Sequence, residues 1–245
     1  MTIEHAQDLD GLRRAGALVA RVLGTMQGCA ADGMTLRELD AIGAELLRDA
    51  GARPAPALTY GFPGTTCISV NNVVAHGIPD GRVLRRGDLV NVDVSAELDG
   101  YFADTGASFV IGAPTPAQKA LLDATREARD SAIAGLRAGG RLNQIGRTIE
   151  RVAARRRLRV IRNLGSHGVG RALHEAPGHI PGHFDARDLR TLHEGMVITV
   201  EPFLATHCNH AEEADDGWSL YCRKGMAAQF EHTIVVTRDA PIILT

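Results

Sequence analysis

Aromatic residues are scarce in this chain, at 4% with a single tryptophan, and its four cysteines (Cys29, Cys67, Cys208 and Cys222) include no C-x-x-C pair. That spacing excludes a zinc ribbon and argues against a disulfide scaffold. Reduced thiols and a cytoplasmic location are expected. No apolar run approaches the roughly 20 residues needed to cross a bilayer. The opening Met1-Thr2-Ile3-Glu4-His5-Ala6 has neither a basic segment nor an apolar stretch of signal-peptide type, so no secretory leader is expected. An excess of one charge is lacking too: 27 basic and 29 acidic residues leave a formal net charge of −2. Nothing electrostatic therefore points to DNA or RNA as the main partner. What is present is ordinary for a globular protein: 245 residues, 44% hydrophobic and 23% charged, enough to bury a substantial core.

The apolar spacing of Leu12, Ala15, Leu18, Val19 and Val22 predicts a first helix that stops near Gly28. Thr35-Leu36-Arg37-Glu38 has the form of a capping box and opens a second, with Gly51 past its end. A Pro/Ala/Gly loop follows. Cys67-Ile68-Ser69-Val70, Leu89 to Val94 and Tyr101 to Ile111 read as strands bounded by glycines. Thr115 and Pro116 start a helix running to about Leu136, broken by Gly139-Gly140, and another reaches about Arg157. Short strands follow at Arg159 to Arg162, Met196 to Glu201 and Phe230 to Thr237, separated by long polar loops. No linker divides the chain, so residues 1–245 read as one α+β domain.

One pattern occurs twice. Gly87-Asp88-Leu89-Val90-Asn91-Val92-Asp93 and Gly195-Met196-Val197-Ile198-Thr199-Val200-Glu201 each run from a glycine through an apolar strand to a carboxylate. Each is followed by a second strand with an acid, Asp104 or Glu231. Such an echo fits two related halves, each giving two carboxylates to a shared site.

Taken singly, each acid reads equally well as the wet edge of a half-buried strand. Asp99-Gly100 alters this for the first pair, because it is a strong two-residue hairpin signal. A tight turn there pairs Leu98 with Tyr101, Ser95 with Asp104 and Asp93 with Gly106. Asp93 and Asp104 then share a face as diagonal neighbours, their Cα atoms on the order of 7–8 Å apart. Carboxylates so placed repel unless a cation lies between them, and two-metal sites hold ions roughly 3.5–4 Å apart. Four acids and an imidazole suit Mn, Fe, Co or Zn.

The histidine segment Gly165-Ser166-His167-Gly168-Val169-Gly170-Arg171-Ala172-Leu173-His174-Glu175 completes a longer set. The set comprises Tyr60-Gly61-Phe62-Pro63, Cys67 to Asn71, His76-Gly77-Ile78-Pro79, Asn91 to Val94, Asp104-Thr105, Glu201-Pro202, Asp216-Gly217-Trp218 and Glu231 to Thr237. In that order and spacing it resembles type I methionine aminopeptidase, from about residue 5 onward. With no zinc-finger extension and no helical insertion between His167 and Glu201, it looks like the short bacterial form.

The resemblance implies the pita-bread fold of the creatinases and aminopeptidases, a curved antiparallel sheet with pseudo-twofold halves and flanking helices. It implies two divalent metal ions (Co, Mn, Fe or Zn) held by Asp93, Asp104, His167, Glu201 and Glu231, with Asp104 and Glu231 bridging. It further implies that Glu201 takes the proton of the water attacking the first peptide bond, and that His76 and His174 hydrogen-bond the peptide and its developing oxyanion. Phe62, Cys67 and Trp218 would help line the methionine pocket. The substrates would be the N-termini of nascent polypeptides, with a small second residue preferred, in a monomeric cytoplasmic enzyme.

Three departures bear on the pocket. Ser166 replaces a usual glycine, Leu173 stands where an aromatic is common, and Pro56 to Thr59 lacks the cysteine and tyrosine often found on the rim. Two other readings share the fold. A proline-specific peptidase would usually carry a further N-terminal domain, for which this chain has no room. A non-catalytic binder would typically have lost ligands, which are all present here. The run Arg151, Arg155, Arg156, Arg157, Arg159 and Arg162 would allow a transient ribosome contact, although a solvated helix end explains it more simply.

Overall fold

In the computed structural model, which describes residues 1–245, the hairpin Leu89–Leu98 and Tyr101–Val110 is the spine of the first half. Asp99 and Gly100 take φ of 52° and 82°, the left-handed pair that a type I′ turn requires. The register is unbulged from Leu98↔Tyr101 to Leu89↔Val110, and it places Ser95 opposite Asp104 and Asp93 opposite Gly106. The other edge of Leu89–Leu98 pairs with Cys67–Val70, where Cys67 faces Asp93, and with Arg53–Pro54.

Two helices back this sheet. Helix α1, Ala6–Cys29, lies across both hairpin strands, and α2, Leu36–Asp49, packs beside it. The capping box at Thr35 is formed: Glu38 N–H donates to the threonine hydroxyl at 3.1 Å, and the Glu38 carboxylate accepts from Thr35 N–H at 2.8 Å. Leu12, Val19, Val22 and Met26 are fully buried in one core with Val90, Val92 and Val94. At roughly 1.5–3 kcal/mol per buried side chain, this contact fixes which face of the hairpin turns inward. Asn91, Asp93 and Ser95 are left to the other face.

The second half repeats the plan. Val197–Val200 pairs antiparallel with His232–Val235, and the sheet extends through Gly165–Gly168 to Glu175–Pro181 on one side and Ile242–Ile243 on the other. Helices α4, Pro116–Ala134, and α5, Gln144–Arg155, pack against each other and share a second core with Ile198, Val200, Ile234 and Val236. The sequence echo has a structural counterpart. Gly87 and Gly195 both take left-handed φ, 91° and 80°. Their N–H groups donate to Ile111 and Val236 respectively, each at 2.8 Å. The halves are joined where Glu231 N–H donates to Gly106 C=O at 2.8 Å and Asp104 N–H to the Thr233 hydroxyl at 3.0 Å.

Some expectations need correction. Residues 55–60 form a short helix, α3, rather than loop. The strands Gly165–Gly168 and Glu175–Pro181 lie where polar loop was expected. Pairing along a sheet, not apolar periodicity, holds them extended. Cys208 and Cys222 are disulfide-bonded, not reduced. The segment between them folds back as Glu212–Glu213 pairs with Leu220–Tyr221, which brings the two Cα atoms to 5.9 Å. Cys29 and Cys67 are free.

Candidate metal centre

Asp93, Asp104, His167, Glu201 and Glu231 converge between the halves, at one end of a cavity of about 420 Å³ that Asp93, Asp104, His167 and Glu201 help to line. Oxygens of Asp104 and Glu231 and a ring nitrogen of His167 lie within 4.8 Å of one another. His167 Nε2 is 3.4 Å from Glu201 Oε1 and 3.8 Å from Asp104 Oδ2.

Asp93 and Asp104 sit within strands, while Glu201 directly follows Val197–Val200 and Glu231 directly precedes His232–Val235, each glutamate being held by the residue two positions earlier. Thr199 donates its hydroxyl to Glu201 Oε1 at 3.1 Å. Gln229 Nε2 donates to Glu231 Oε2 at 2.9 Å, while Asn91 Nδ2 donates to Gln229 Oε1 at 2.9 Å. Gln229 reaches this position because Gly106 has no side chain: a Cβ there would come within 2.4 Å of Gln229 Oε1. Ser166 accepts the Glu201 N–H at 2.9 Å, and Thr199 accepts the His167 N–H at 3.1 Å. Sequence reading passed over Gln229 and Thr199, although their period-two spacing from the acids was visible.

The donor set fits divalent cations. Asp104 Oδ1 and Glu231 Oε1 are buried with no hydrogen-bond partner, a costly state for a carboxylate oxygen unless a cation meets it. Burial raises Asp93 to about 6. Burial, then the charges of neighbouring acids, holds Asp104, Glu201 and Glu231 well above the carboxylate range. His167 is the opposite case: burial, then the nearby His174, lowers it to about 3. It is therefore the neutral imidazole that a metal requires, with Nδ1 3.0 Å from its own Gly168 carbonyl and Nε2 turned to the acids.

The rest of the cavity is apolar on one side. Phe62 and Trp218 meet edge to face, 5.3 Å between centroids at 84°. Cys67, Leu173 and Phe203 also line it, with Pro56 and Tyr60. Burial, then the charges of Asp93 and Asp104, pushes the Cys67 thiol well up, so it serves as a neutral wall rather than a nucleophile. His76 and His174 line the same space. His76 holds a left-handed φ of 53°, a conformation uncommon outside glycine and one that recurs at functional sites. Phe203 and His179 are cavity residues that sequence reading did not single out, and Tyr60, quoted as part of a motif, was given no role there; no spacing rule assigns one, because the three arrive from separate segments.

The profile of Metallopeptidase family M24 matches residues 10–238. The chain belongs to that family. Over 247 aligned residues it is 44% identical to methionine aminopeptidase of Staphylococcus epidermidis, covering 100% of this chain and 98% of the other. It is also 44% identical to methionine aminopeptidase 2 of Bacillus subtilis, covering 100% and 99%. The crystal structure of methionine aminopeptidase from Rickettsia prowazekii superposes with a TM-score of 0.95 at 35% identity over the whole of both chains. A prolidase from Pyrococcus furiosus, at 23% identity and covering 65% of that chain, shares the fold at a TM-score of 0.80. The architecture is thus the α+β pita-bread fold expected from the motifs, and family membership brings a divalent metal to the acid cluster.

Proposed function

We propose that this M24 enzyme is a methionine aminopeptidase that hydrolyses the first peptide bond of new polypeptides bearing an N-terminal methionine. The observation that carries this reading is the juxtaposition of an acid cluster with two orphaned oxygens and an apolar wall of Phe62, Cys67, Phe203 and Trp218. We read residues 1–245 as one catalytic domain, acting as a monomer.

Asp93, Asp104, His167, Glu201 and Glu231 would hold two divalent ions drawn from Co, Mn, Fe or Zn. Such ions supply Lewis-acid activation of water and of the scissile carbonyl. Glu201 takes the water's proton on its carboxylate, which Thr199 orients. His76 and His174, neutral because burial lowers both, donate hydrogen bonds to the peptide and to the oxygen that gains charge. Phe62, Cys67 and Trp218 receive the methionine side chain. The two histidines crowd the space beyond it, so a small second residue is favoured.

No helix is long and apolar enough to cross a membrane. A cytoplasmic location follows from the proposed substrate. Release of methionine from Met-Ala-Ser, compared with cleavage of Xaa-Pro peptides by the same preparation, tests the reading. Faster Xaa-Pro cleavage would sink it.

A further inference from the structure

His174 is held from behind. Its Nδ1 lies 2.7 Å from the Tyr60 hydroxyl oxygen, with the two rings 5.6 Å apart and tilted by 51°. The ring also lies against that of His167, centroids 3.9 Å apart and tilted by 41°. Tyr60 ends α3 in the first half, whereas His174 precedes the strand Glu175–Pro181 in the second. Their bond joins segments 114 residues apart that line one cavity. It is the only hydrogen bond of the Tyr60 side chain, and no protein group engages His174 Nε2.

Packing does not explain the tyrosine. Tyr60 is 50% exposed, whereas Phe62, two residues on, is 4% exposed and fills the wall. What is specific about position 60 is therefore the hydroxyl. A neutral imidazole carries one proton, and the bond at one nitrogen decides which nitrogen has it. If the phenol donates to Nδ1, the ring proton stands on Nε2, the nitrogen left free for a substrate. If Nδ1–H donated instead, Nε2 would be a lone pair, unable to stabilise a carbonyl oxygen.

We propose that Tyr60 is a positioning residue: its hydroxyl donates to His174 Nδ1, fixes the ring across the cavity and keeps Nε2–H as a donor toward the substrate's carbonyl. This rests on the aminopeptidase reading, in which His174 meets the peptide. It also gives Tyr60 a role that the metal ligands do not share. The bond is made before substrate arrives, so the donor is preorganised rather than recruited.

The test uses the zinc-loaded enzyme labelled with nitrogen-15 in histidine, with the His174 signals assigned by their loss in His174→Ala. In long-range proton–nitrogen spectra the wild type should show a protonated Nε2 and an unprotonated, hydrogen-bonded Nδ1. Tyr60→Phe keeps the ring and should keep zinc content and Tm. Its Nδ1 signal should lose the bonded shift, and kcat on Met-Ala-Ser should fall roughly tenfold, the scale of one oriented hydrogen bond, with KM little changed. A wild-type proton on Nδ1, or a Tyr60→Phe enzyme with unaltered spectrum and kcat, overturns the proposal. His174→Ala with wild-type kcat would instead overturn the peptide-binding role of His174, even where the Tyr60 bond is seen as expected.

Discussion

The hydroxyl of Ser166 accepts the backbone N–H of Glu201 at 2.9 Å, inside the sheet that carries both His167 and Glu201. Ser166 is 1% exposed, so no solvent stands ready to replace that acceptor. Removing it with alanine leaves a buried N–H unmet, at a cost of about 1–3 kcal/mol. Ser166→Gly opens space for a water and should cost less. Urea unfolding with metal titration by calorimetry should therefore rank wild type above Ser166→Gly and Ser166→Ala lowest, in both stability and metal affinity. Alanine equal to wild type would show the bond to be incidental.

The acid cluster, with Asp104, Glu201 and Glu231 buried and Asp93 half-buried, makes the metal-free protein sensitive to pH in an unusual direction. Asp93 is raised from its ordinary 3.8 to about 6, so in that window the folded state binds more protons than the unfolded one. Stability from this group is fully present below 3.8 and is lost as pH rises through about 6. Asp104, Glu201 and Glu231 are shifted the same way. The Tm of chelator-treated protein should fall by several degrees as pH rises through this range. Metal loading should abolish the fall and release protons as it does so. Glu231→Gln should weaken the pH dependence, retain little metal and lose nearly all activity. A metal-free preparation with wild-type turnover would remove the basis for the mechanism.

Much of this centre was legible in residue order. Asp99-Gly100 fixed the register that sets Asp93 and Asp104 on one face, and the hairpin is unbulged as that register needs. The Gly87 and Gly195 echo reappeared as a matched pair of left-handed turns and hydrogen bonds. What was not legible depends on contacts between distant segments. The Gly165–Gly168 strand, Gly-Ser-His-Gly, has no apolar alternation to read, and backbone pairing with a strand on each edge holds it extended. Tyr60 and His174 are 114 residues apart in sequence. Gln229 was readable in principle as the polar residue two before Glu231, but only Gly106, opposite Asp93, shows why it fits.

The Cys208–Cys222 bond closes a loop with a sequence separation of 14 that also carries Trp218. Loop closure of that length is worth about 3 kcal/mol through the unfolded chain. The double variant Cys208→Ser/Cys222→Ser should unfold at correspondingly lower urea. Because Trp218 meets Phe62 at the cavity wall, KM for Met-Ala-Ser should rise with kcat less affected. Alkylation of the unreduced protein under denaturing conditions should find two thiols, Cys29 and Cys67. Four would show that the bond does not form.

Leu173 is expected to set how strictly the cavity selects methionine. It is 3% exposed and lines the cavity directly before His174. A leucine there occupies less of the wall than a phenyl ring, leaving room beside Phe62 and Trp218 for a first residue branched near its backbone. Differences of one methylene in such a pocket discriminate by about 10–200-fold. Leu173→Phe should therefore cut kcat/KM for Leu-Ala-Ser by at least about tenfold relative to Met-Ala-Ser. Leu173→Met, which conserves volume, should leave the ratio near wild type. The pair separates shape from stability: overpacking that merely loosened the fold would lower both substrates together. An unchanged ratio in Leu173→Phe would place the selecting wall elsewhere, at Phe203 or Pro56.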